Sequence, residues 1–379
     1  MQERQLMREP GIEAEFIIPT VEELQAQAKI SRRAHIESVK GNILVKGKEI
    51  PWNLLPQGVL RSFNPVVGYY ANAASDNMAP FQHLIPHHSG RHRHQGGYSL
   101  FVVDGKGHTV VDGVSHPWEE GDLVLLPIKV DGCEHQHFND DPSGKPSRWM
   151  ATPPRYCLES VQVGVNQRES SPLWTKYRGA YKGVWTDDAK EKEQAARKAQ
   201  AAAARPPSFD GTVSNRLDEL FKIRDQQREW VRTARMVVRF KDVPWEINRL
   251  GKMKWYLHPN ITDTAHRALI FYIQEIPPGS RSGKMQQQGG FFTYIWRGKK
   301  GYSIINDKRY DWEQDDMLFY PVNGDTPQFF QHFNSDPENP TWLVVGIPNL
   351  YGPLGVDMGV GFEVLEDCPE WRALHAGRS

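Results

Sequence analysis

Short apolar stretches separated by turns that contain glycine and aspartate recur along much of the chain. Residues 98–103 are apolar and rich in β-forming side chains, residues 104–107 have the composition of a turn, and residues 108–111 form a second such stretch. Asp112-Gly113 indicates another turn, and residues 123–127 are again apolar. Short strands at this spacing are typical of an antiparallel sandwich or barrel, so the pattern predicts an all-β fold.

The same pattern occurs twice. Three pairs of segments match, namely residues 45–52 with 238–245, residues 90–97 with 283–290, and residues 133–139 with 328–334. Trp149 and Trp342 also occupy matching positions. The strand pattern recurs in the second half at residues 291–296, 301–305 and 317–320. The spacing drifts by only one or two residues, as loops of a duplicated domain would allow, so we predict two copies of one domain.

The segment between the copies has a different composition. Residues 187–205 are rich in Ala, Lys, Glu and Gln and predict a solvent-exposed helix, which Pro206-Pro207 ends. A second, amphipathic helix is predicted over residues 213–232, and its apolar face carries Leu217, Leu220, Phe221 and Ile223. We predict that this segment links and packs the domains; a lid over a site or an oligomer contact is the alternative.

These patterns divide the chain into four parts. They predict an N-terminal arm with a helix over residues 1–44, a first barrel over residues 45–170, a helical linker over residues 171–237 and a second barrel over residues 238–379. A chain of 379 residues is long enough to bury the cores of two domains.

Composition and charge exclude several classes of partner. The 46 Lys and Arg residues balance the 46 Asp and Glu residues, so no global field attracts nucleic acid or anionic lipid. No apolar run approaches the length of a membrane span, and the N-terminus lacks the apolar core of a secretory signal. The three cysteines, Cys133, Cys157 and Cys368, are odd in number and widely spaced, which favours the reducing cytoplasm.

Nine of the 14 histidines lie between His83 and His137. Successive side chains of a strand alternate faces, so His92 and His94 are expected to point to the same side. A third histidine from a later strand would complete a triangular metal site, because imidazole binds divalent Fe, Zn, Cu, Ni and Mn. His135 and His137 both have the parity that this site requires.

The second copy helps to choose between these two histidines. It has Met285, Gln287 and Phe330 at the positions of His92, His94 and His135. His137 instead keeps a counterpart, His332, so its role is expected to be structural or to support the site. Residues that disappear together are expected to serve one site, and we therefore predict His92, His94 and His135 as the metal ligands. Core histidines without a metal, or a different third ligand, are the alternatives.

Three segments of the first copy, Gly90-x-His92-x-His94, Gly121-x5-Pro127 and His135-x3-Asn139, resemble the two motifs of the cupin superfamily. The resemblance covers about residues 45–165 and 238–350, so the chain resembles a bicupin. It implies two tandem cupin barrels, which are double-stranded β-helix or jelly-roll folds, joined by the helical segment. It also implies a homo-oligomer, the usual state of such bicupins.

The glutamate of the usual cupin motif is missing, because Tyr98 and Ser99 stand at its positions. The three-histidine site resembles that of the gentisate, salicylate and 1-hydroxy-2-naphthoate ring-cleaving dioxygenases. This resemblance implies one Fe(II) per chain, with Mn or Zn less favoured, and an aromatic substrate that chelates the metal and is cleaved with O2. Leu100 stands where the gentisate enzymes have an arginine, which argues against gentisate itself.

Other polar residues near the motifs are candidates for chemistry. Tyr98, Glu134 and His137 are the candidate catalytic residues, and Arg91 and Lys129 the candidate substrate contacts. A solvated or packing role is the competing interpretation for each. Two further functions stay open, because cupin folds serve many reactions. One is a non-oxidative metal-dependent decarboxylase, isomerase or hydrolase, and the other is a small-molecule-binding protein without turnover.

Overall fold

The computed structural model describes residues 6–7, 16–17, 40–50, 52–63, 73–74, 78–129, 132–154, 166–179, 215–322, 326–352 and 361–376. Strands predominate in these ranges. In chain order they are β1 Leu6–Met7, β2 Phe16–Ile17, β3 Leu44–Val45, β4 Asn53–Leu55, β5 Gly58–Ser62, β6 Phe81–Ile85, β7 His92–His94, β8 Ser99–Asp104, β9 Lys106–Val111, β10 Val114–Glu119, β11 Leu123–Leu125, β12 Cys133–Asn139, β13 Ser147–Thr152, β14 Asn166–Gln167, β15 Val237–Val238, β16 Glu246–Asn248, β17 Gly251–Leu257, β18 Leu269–Ile276, β19 Lys284–Gln287, β20 Phe291–Arg297, β21 Gly301–Ile305, β22 Lys308–Trp312, β23 Met317–Tyr320, β24 Gln328–Asn334, β25 Thr341–Pro348 and β26 Glu363–Glu366. The helices of the described residues are α1 Pro172–Arg178, α2 Arg216–Thr233 and α3 Pro369–His375, and Gly47–Glu49 forms a 3-10 turn.

The N-terminal half consists of two antiparallel sheets. The larger sheet has the strand order β15-β11-β8-β13-β6-β5-β4, and the smaller has the order β10-β9-β12-β7-β14. The β9–β10 hairpin turns at Asp112 and Gly113, whose φ angles of 48° and 86° are positive, where the sequence predicted a turn. The apolar side chains between the two sheets include Leu100, Val111 and Trp149. This half is the first predicted barrel.

The C-terminal half repeats this arrangement. Its larger sheet has the order β16-β17-β18-β25-β20-β23-β3, and its smaller sheet the order β22-β21-β24-β19-β26. Strands β20, β21 and β23 cover the three stretches that the sequence predicted for this half. Its interior is packed with aromatic and aliphatic side chains, among them Phe291, Tyr320 and Phe330.

The two larger sheets pack against each other and form a third apolar core. Phe101 and Leu123 of the N-terminal half lie in the same cluster as Phe271 and Phe292 of the C-terminal half. The indole Nε1 of Trp296 donates a hydrogen bond to a carbonyl oxygen of β8 across this core, at 2.9 Å. The faces of the two large sheets that point away from their own barrels bury their apolar side chains in this contact, so the hydrophobic effect holds the two halves together.

Each half also contributes one strand to the other half. β3 pairs with β23 of the C-terminal sheet, and β15 pairs with β11 of the N-terminal sheet. These strands belong to the matching segments at residues 45–52 and 238–245, so the duplication includes the exchange. The domain boundaries at residues 45 and 238 stay predictions. The strands at these boundaries, β3 and β15, each lie in the sheet of the opposite half.

Two buried carboxylates secure the exchanged segments in the same way. Asp122 accepts hydrogen bonds from Arg239 Nη1 at 2.7 Å and from the N–H group of Phe240 at 2.9 Å. Asp316 accepts from Lys46 Nζ at 2.8 Å and from the N–H group of Gly47 at 3.1 Å. Both carboxylates are almost completely buried, and each one pairs with a basic side chain and a backbone N–H group of the exchanged segment.

Helix α2 lies close to the predicted range 213–232, but its packing differs from the prediction. Its apolar side chains Leu217, Leu220, Phe221 and Ile223 are 43–61% exposed, and none of its residues is buried. Hence the predicted apolar face does not pack into a core of the described structure. The predicted helices over residues 187–205 and in the N-terminal arm lie outside the described residues. Among the helices described, none has both the length and the apolarity needed to cross a membrane.

Candidate metal centre

Two neighbouring strands of the smaller N-terminal sheet carry the three predicted ligands. His92 and His94 lie on β7, and His135 on β12 stands directly opposite His92 in the antiparallel register. Alternation along the strands directs all three side chains into the barrel, where they are 8%, 4% and 3% exposed. One nitrogen of each ring lies within 4.8 Å of the others, and this is the metal-type cluster found among the described residues.

Backbone hydrogen bonds orient the imidazole rings. Nδ1 of His92 lies 3.0 Å from the carbonyl oxygen of Gly90, and Nδ1 of His135 lies 3.0 Å from that of Cys133. Each contact places the ring proton on Nδ1 and leaves the Nε2 lone pair free for a metal. His94 differs, because its Nδ1 accepts from the N–H group of Gly96 at 3.0 Å. Coordination through Nε2 of His94 requires that contact to be released.

Burial keeps the three rings neutral. It lowers the pKa of His92, and lowers the pKa of His94 to about 3, with a further contribution from the neighbouring His92. Burial and the proximity of the other histidines lower the pKa of His135 well below its usual range. Because neutral imidazole is the form that binds metal, no ring has to lose a positive charge at neutral pH, and only in His94 must the ring proton move from Nε2 to Nδ1. The donor set fits divalent Fe, Mn or Zn.

A tight turn follows the second ligand. Gly96 and Gly97 have φ angles of 88° and 79°, and a Cβ atom at Gly96 would lie 1.8 Å from the carbonyl oxygen of Pro127. Only glycine fits such a left-handed and crowded position. The turn returns the chain so that the Tyr98 ring lies against the His94 ring, with centroids 4.3 Å apart.

Tyr98, a predicted catalytic residue, lies beside the triad. Burial raises the pKa of its phenol to about 12, so the hydroxyl keeps its proton at neutral pH and acts as a hydrogen-bond donor. It is held from both sides: its ring contacts Phe81, and its carbonyl oxygen lies 3.3 Å from Nε2 of His266.

His137 belongs to a hydrogen-bonded chain that both halves contain. Its Nδ1 lies 2.8 Å from Thr109 Oγ1, which also accepts from Trp118 Nε1 at 2.9 Å. The second half repeats this chain with His332, Ser303 and Trp312. Since the second half lacks the triad, this arrangement supports the structural role expected for His137; its catalytic role remains a prediction.

The structure does not bring Arg91 or Glu134 to the triad. Arg91 immediately precedes β7, and Glu134 precedes His135 within β12, so alternation directs both side chains to the outer face of the sheet. There Arg91 Nη1 donates to Glu134 at 3.1 Å, and both side chains are partly exposed. Lys129 pairs with Asp112 at the rim of the barrel. The predicted catalytic and substrate-binding roles of these residues stay predictions.

The sequence analysis did not predict two buried histidines, His83 and His266, that lie near the triad. His83 lies inside the N-terminal barrel against Trp149 and His137, its Nε2 has no hydrogen-bond partner, and burial lowers its pKa to about 3. His266 comes from the C-terminal half, and its Nε2 lies 3.1 Å from Ser99 Oγ. His83 stood in the histidine cluster, which was a usable signal. His266 is isolated in sequence, and only the contact between the halves shows its place.

The equivalent positions of the second half hold no such cluster among the described residues. Met285 stands opposite Phe330, and Gln287 opposite Gln328, with all four side chains buried. Phe330 also packs against Phe291 and Tyr320, with ring centroids 5.4 and 4.9 Å away. In the second half, the side chains of Met285, Phe330 and Tyr320 therefore fill the part of the barrel interior that corresponds to the triad.

Comparison with known proteins agrees with this architecture. The chain matches no family sequence model. It matches no curated protein sequence at a significant level either. Its structure is similar to salicylate 1,2-dioxygenase from Pseudoaminobacter salicylatoxidans in adducts with gentisate, with 15% identity, a TM-score of 0.51, and coverage of 92% of this chain and 96% of that chain.

Two further solved structures show the same likeness. A mutant of the same salicylate dioxygenase gives 15% identity, a TM-score of 0.50, and coverage of 92% of this chain and 99% of that chain. Oxalate decarboxylase from Lactobacillus farciminis, in a formate complex, gives 14% identity, a TM-score of 0.48, and coverage of 80% and 86%. At these identities the likeness to the dioxygenase shows a common fold and leaves the reaction to be argued from the site.

Proposed function

The chain has the bicupin fold that its motifs predicted, and from this premise we propose that it is an Fe(II)-dependent dioxygenase. It would bind one iron per chain in the N-terminal barrel and cleave a C–C bond of a metal-chelating aromatic substrate with O2. The observation that carries this proposal is the buried cluster of three neutral histidines, without a carboxylate among the close ligand atoms of the described residues.

The charge of the ligand set selects the substrate. Three neutral imidazoles leave the full double charge of a divalent metal uncompensated, so a bidentate anion is the favoured additional ligand. The histidines lie on two adjacent strands of one sheet, which leaves the opposite side of the metal position free of these ligands. The chemistry that Fe(II) supplies in such a site is electron transfer between a chelated substrate and O2, without a separate reductant.

The residues around the triad supply orientation and exclude water. The carbonyl groups of Gly90 and Cys133 fix two of the rings, and Tyr98 covers the third with a phenol that keeps its proton. A protonated phenol at this position can donate a hydrogen bond to an oxyanion of the substrate. The apolar surroundings of the triad strengthen such electrostatic contacts.

Oxygen uptake tests this proposal. Protein loaded with Fe(II) would be tested in an oxygen electrode with salicylate, gentisate, 1-hydroxy-2-naphthoate, catechols, hydroquinones and diketones. We expect uptake with at least one hydroxylated aromatic acid, loss of that uptake in His135→Ala, and retention in His258→Ala, which removes a histidine remote from the site. Absence of uptake with every compound would refute the proposal. Turnover that is unchanged under nitrogen, with manganese or zinc bound, would establish the non-oxidative alternative.

A further inference from the structure

A groove of about 780 Å³ runs between helix α2 and the N-terminal barrel. Its barrel side is formed by residues that border the triad. Val111 stands opposite His135 in the sheet register. Ile128 lies against Gly97, in the turn that follows His94. The carbonyl oxygen of Lys129 accepts a hydrogen bond from Gln95 at 2.7 Å. The groove therefore adjoins the segments that carry the ligands, although none of the three histidines lines it.

One stripe of helix α2 forms the opposite side. The lining residues of the helix are Arg224, Gln227, Arg228, Val231 and Arg232. They occupy positions i, i+3, i+4, i+7 and i+8, which form one face of a helix. The same stripe continues toward the N-terminus of the helix with exposed apolar side chains.

Contacts outside the groove anchor the C-terminal end of the helix. Trp230 Nε1 donates to the carbonyl oxygen of Thr262 at 2.9 Å, and the guanidinium of Arg267 lies over the Trp230 ring at 4.6 Å. Directly after the helix, β15 joins the N-terminal sheet. The position of the arginine stripe opposite the barrel is thus set by both halves of the molecule.

The groove combines an apolar floor with positive charge. Val111, Ile128 and Met236 line the floor, while Lys129 and three arginines contribute cations. Asp112 is the acidic lining residue, and it pairs with Lys129. The arginines have partners on the helix itself: Arg224 and Arg228 contact Asp225 at 2.8 and 3.7 Å, and Arg232 contacts Glu229. These acids are exposed, and such surface pairs exchange readily for a ligand carboxylate.

We propose that this groove binds an apolar carboxylate beside the metal centre. The volume falls in the range of small-molecule sites, and bidentate arginine pairing suits a planar carboxylate. That the bound carboxylate is the substrate rests on the proposed function, whereas its binding does not. The groove would thereby supply the anion contact that Leu100, in the place of an arginine, cannot provide.

Fluorescence titration with 1-hydroxy-2-naphthoate tests this site. Full-length protein would be titrated under nitrogen, so that no oxygen is present for turnover. We expect saturable binding that weakens about fivefold in each of Arg228→Gln and Arg232→Gln. Lys222→Gln, which removes the same charge from the same helix but lies off the stripe, should bind as the unchanged protein does. 1-Naphthol, which lacks the carboxylate, should bind more weakly and show no dependence on the arginines.

Unchanged affinity in the Arg228→Gln, Arg232→Gln double variant would overturn the proposal. So would a fall in oligomer mass of that variant in sedimentation, since a second copy would then be the occupant of the groove. Both arginines are exposed, so the fold should tolerate their replacement. If the arginines prove irrelevant while the protein consumes oxygen, the groove proposal fails and the enzyme proposal stands. If the probe binds as expected but no compound supports oxygen uptake, the groove proposal stands and the enzyme proposal fails.

Discussion

Single residues of the site are built to stay neutral. Burial is the largest cause of the low pKa of His83 and of His94, both lowered to about 3. The same effect raises the pKa of the Tyr98 phenol to about 12. A buried histidine with a lowered pKa makes stability depend on pH, because it binds a proton in the unfolded chain at pH values where it stays neutral in the folded chain.

His266 offers a clean test of this dependence, because it is buried, lies outside the triad and has its pKa lowered to about 4. Its contribution to stability is complete above the unfolded pKa of about 6.5 and is lost as the pH falls toward the folded value. We predict that between pH 7 and pH 5 the unchanged protein loses about 2 kcal/mol more unfolding free energy than His266→Gln. Urea unfolding of the metal-free proteins measures this, and equal losses would contradict it.

Secondary-structure elements of the two halves are held together by reciprocal exchange. Each exchanged strand is short, so the buried carboxylate beside it has a large share in securing it. Breaking a buried, hydrogen-bonded charge leaves donors without partners and costs more than breaking a surface pair.

Replacing either carboxylate should therefore destabilise the protein. We predict that Asp122→Asn and Asp316→Asn each lower the unfolding free energy by about 3 kcal/mol. The matched replacement Asp140→Asn disturbs a partly exposed pair with His108 and should cost less than about 1 kcal/mol. Chemical unfolding measures all three. Equal effects at Asp122 and Asp140 would show that the exchanged segments do not depend on these contacts.

Elements also show where sequence reasoning reaches its limit. The strands, the β9–β10 turn and the shared face of His92 and His94 follow from alternation and turn composition, which are local. The sequence also placed Trp149 and Trp342 at matching positions, and this prediction is wrong. Trp149 lies inside the N-terminal barrel, whereas Trp342 packs between the halves. Register shifts occur beside both residues, and a shift of one residue reverses the face.

At the scale of the whole molecule, the second barrel supports the first. It lacks the ligand side chains at the matching positions but supplies one sheet of the central core, the strand β15 and the His266 contact beside Tyr98. The sequence indicated the duplication and the one-sided triad. The exchange of strands, the place of His266 and the groove beneath α2 all depend on contacts between distant residues, which no local pattern encodes.

The central claim is one metal per chain, bound in the N-terminal barrel. Metal content of the purified protein by plasma mass spectrometry tests it most directly, together with two double variants. His92→Ala, His94→Ala removes two ligands, and His258→Ala, His375→Ala removes two histidines away from the site. We predict about one metal per chain in the unchanged protein and in the second variant, and almost none in the first, because one remaining imidazole holds a divalent ion weakly. Equal metal content in both variants, or a protein that cannot be loaded, would contradict the account.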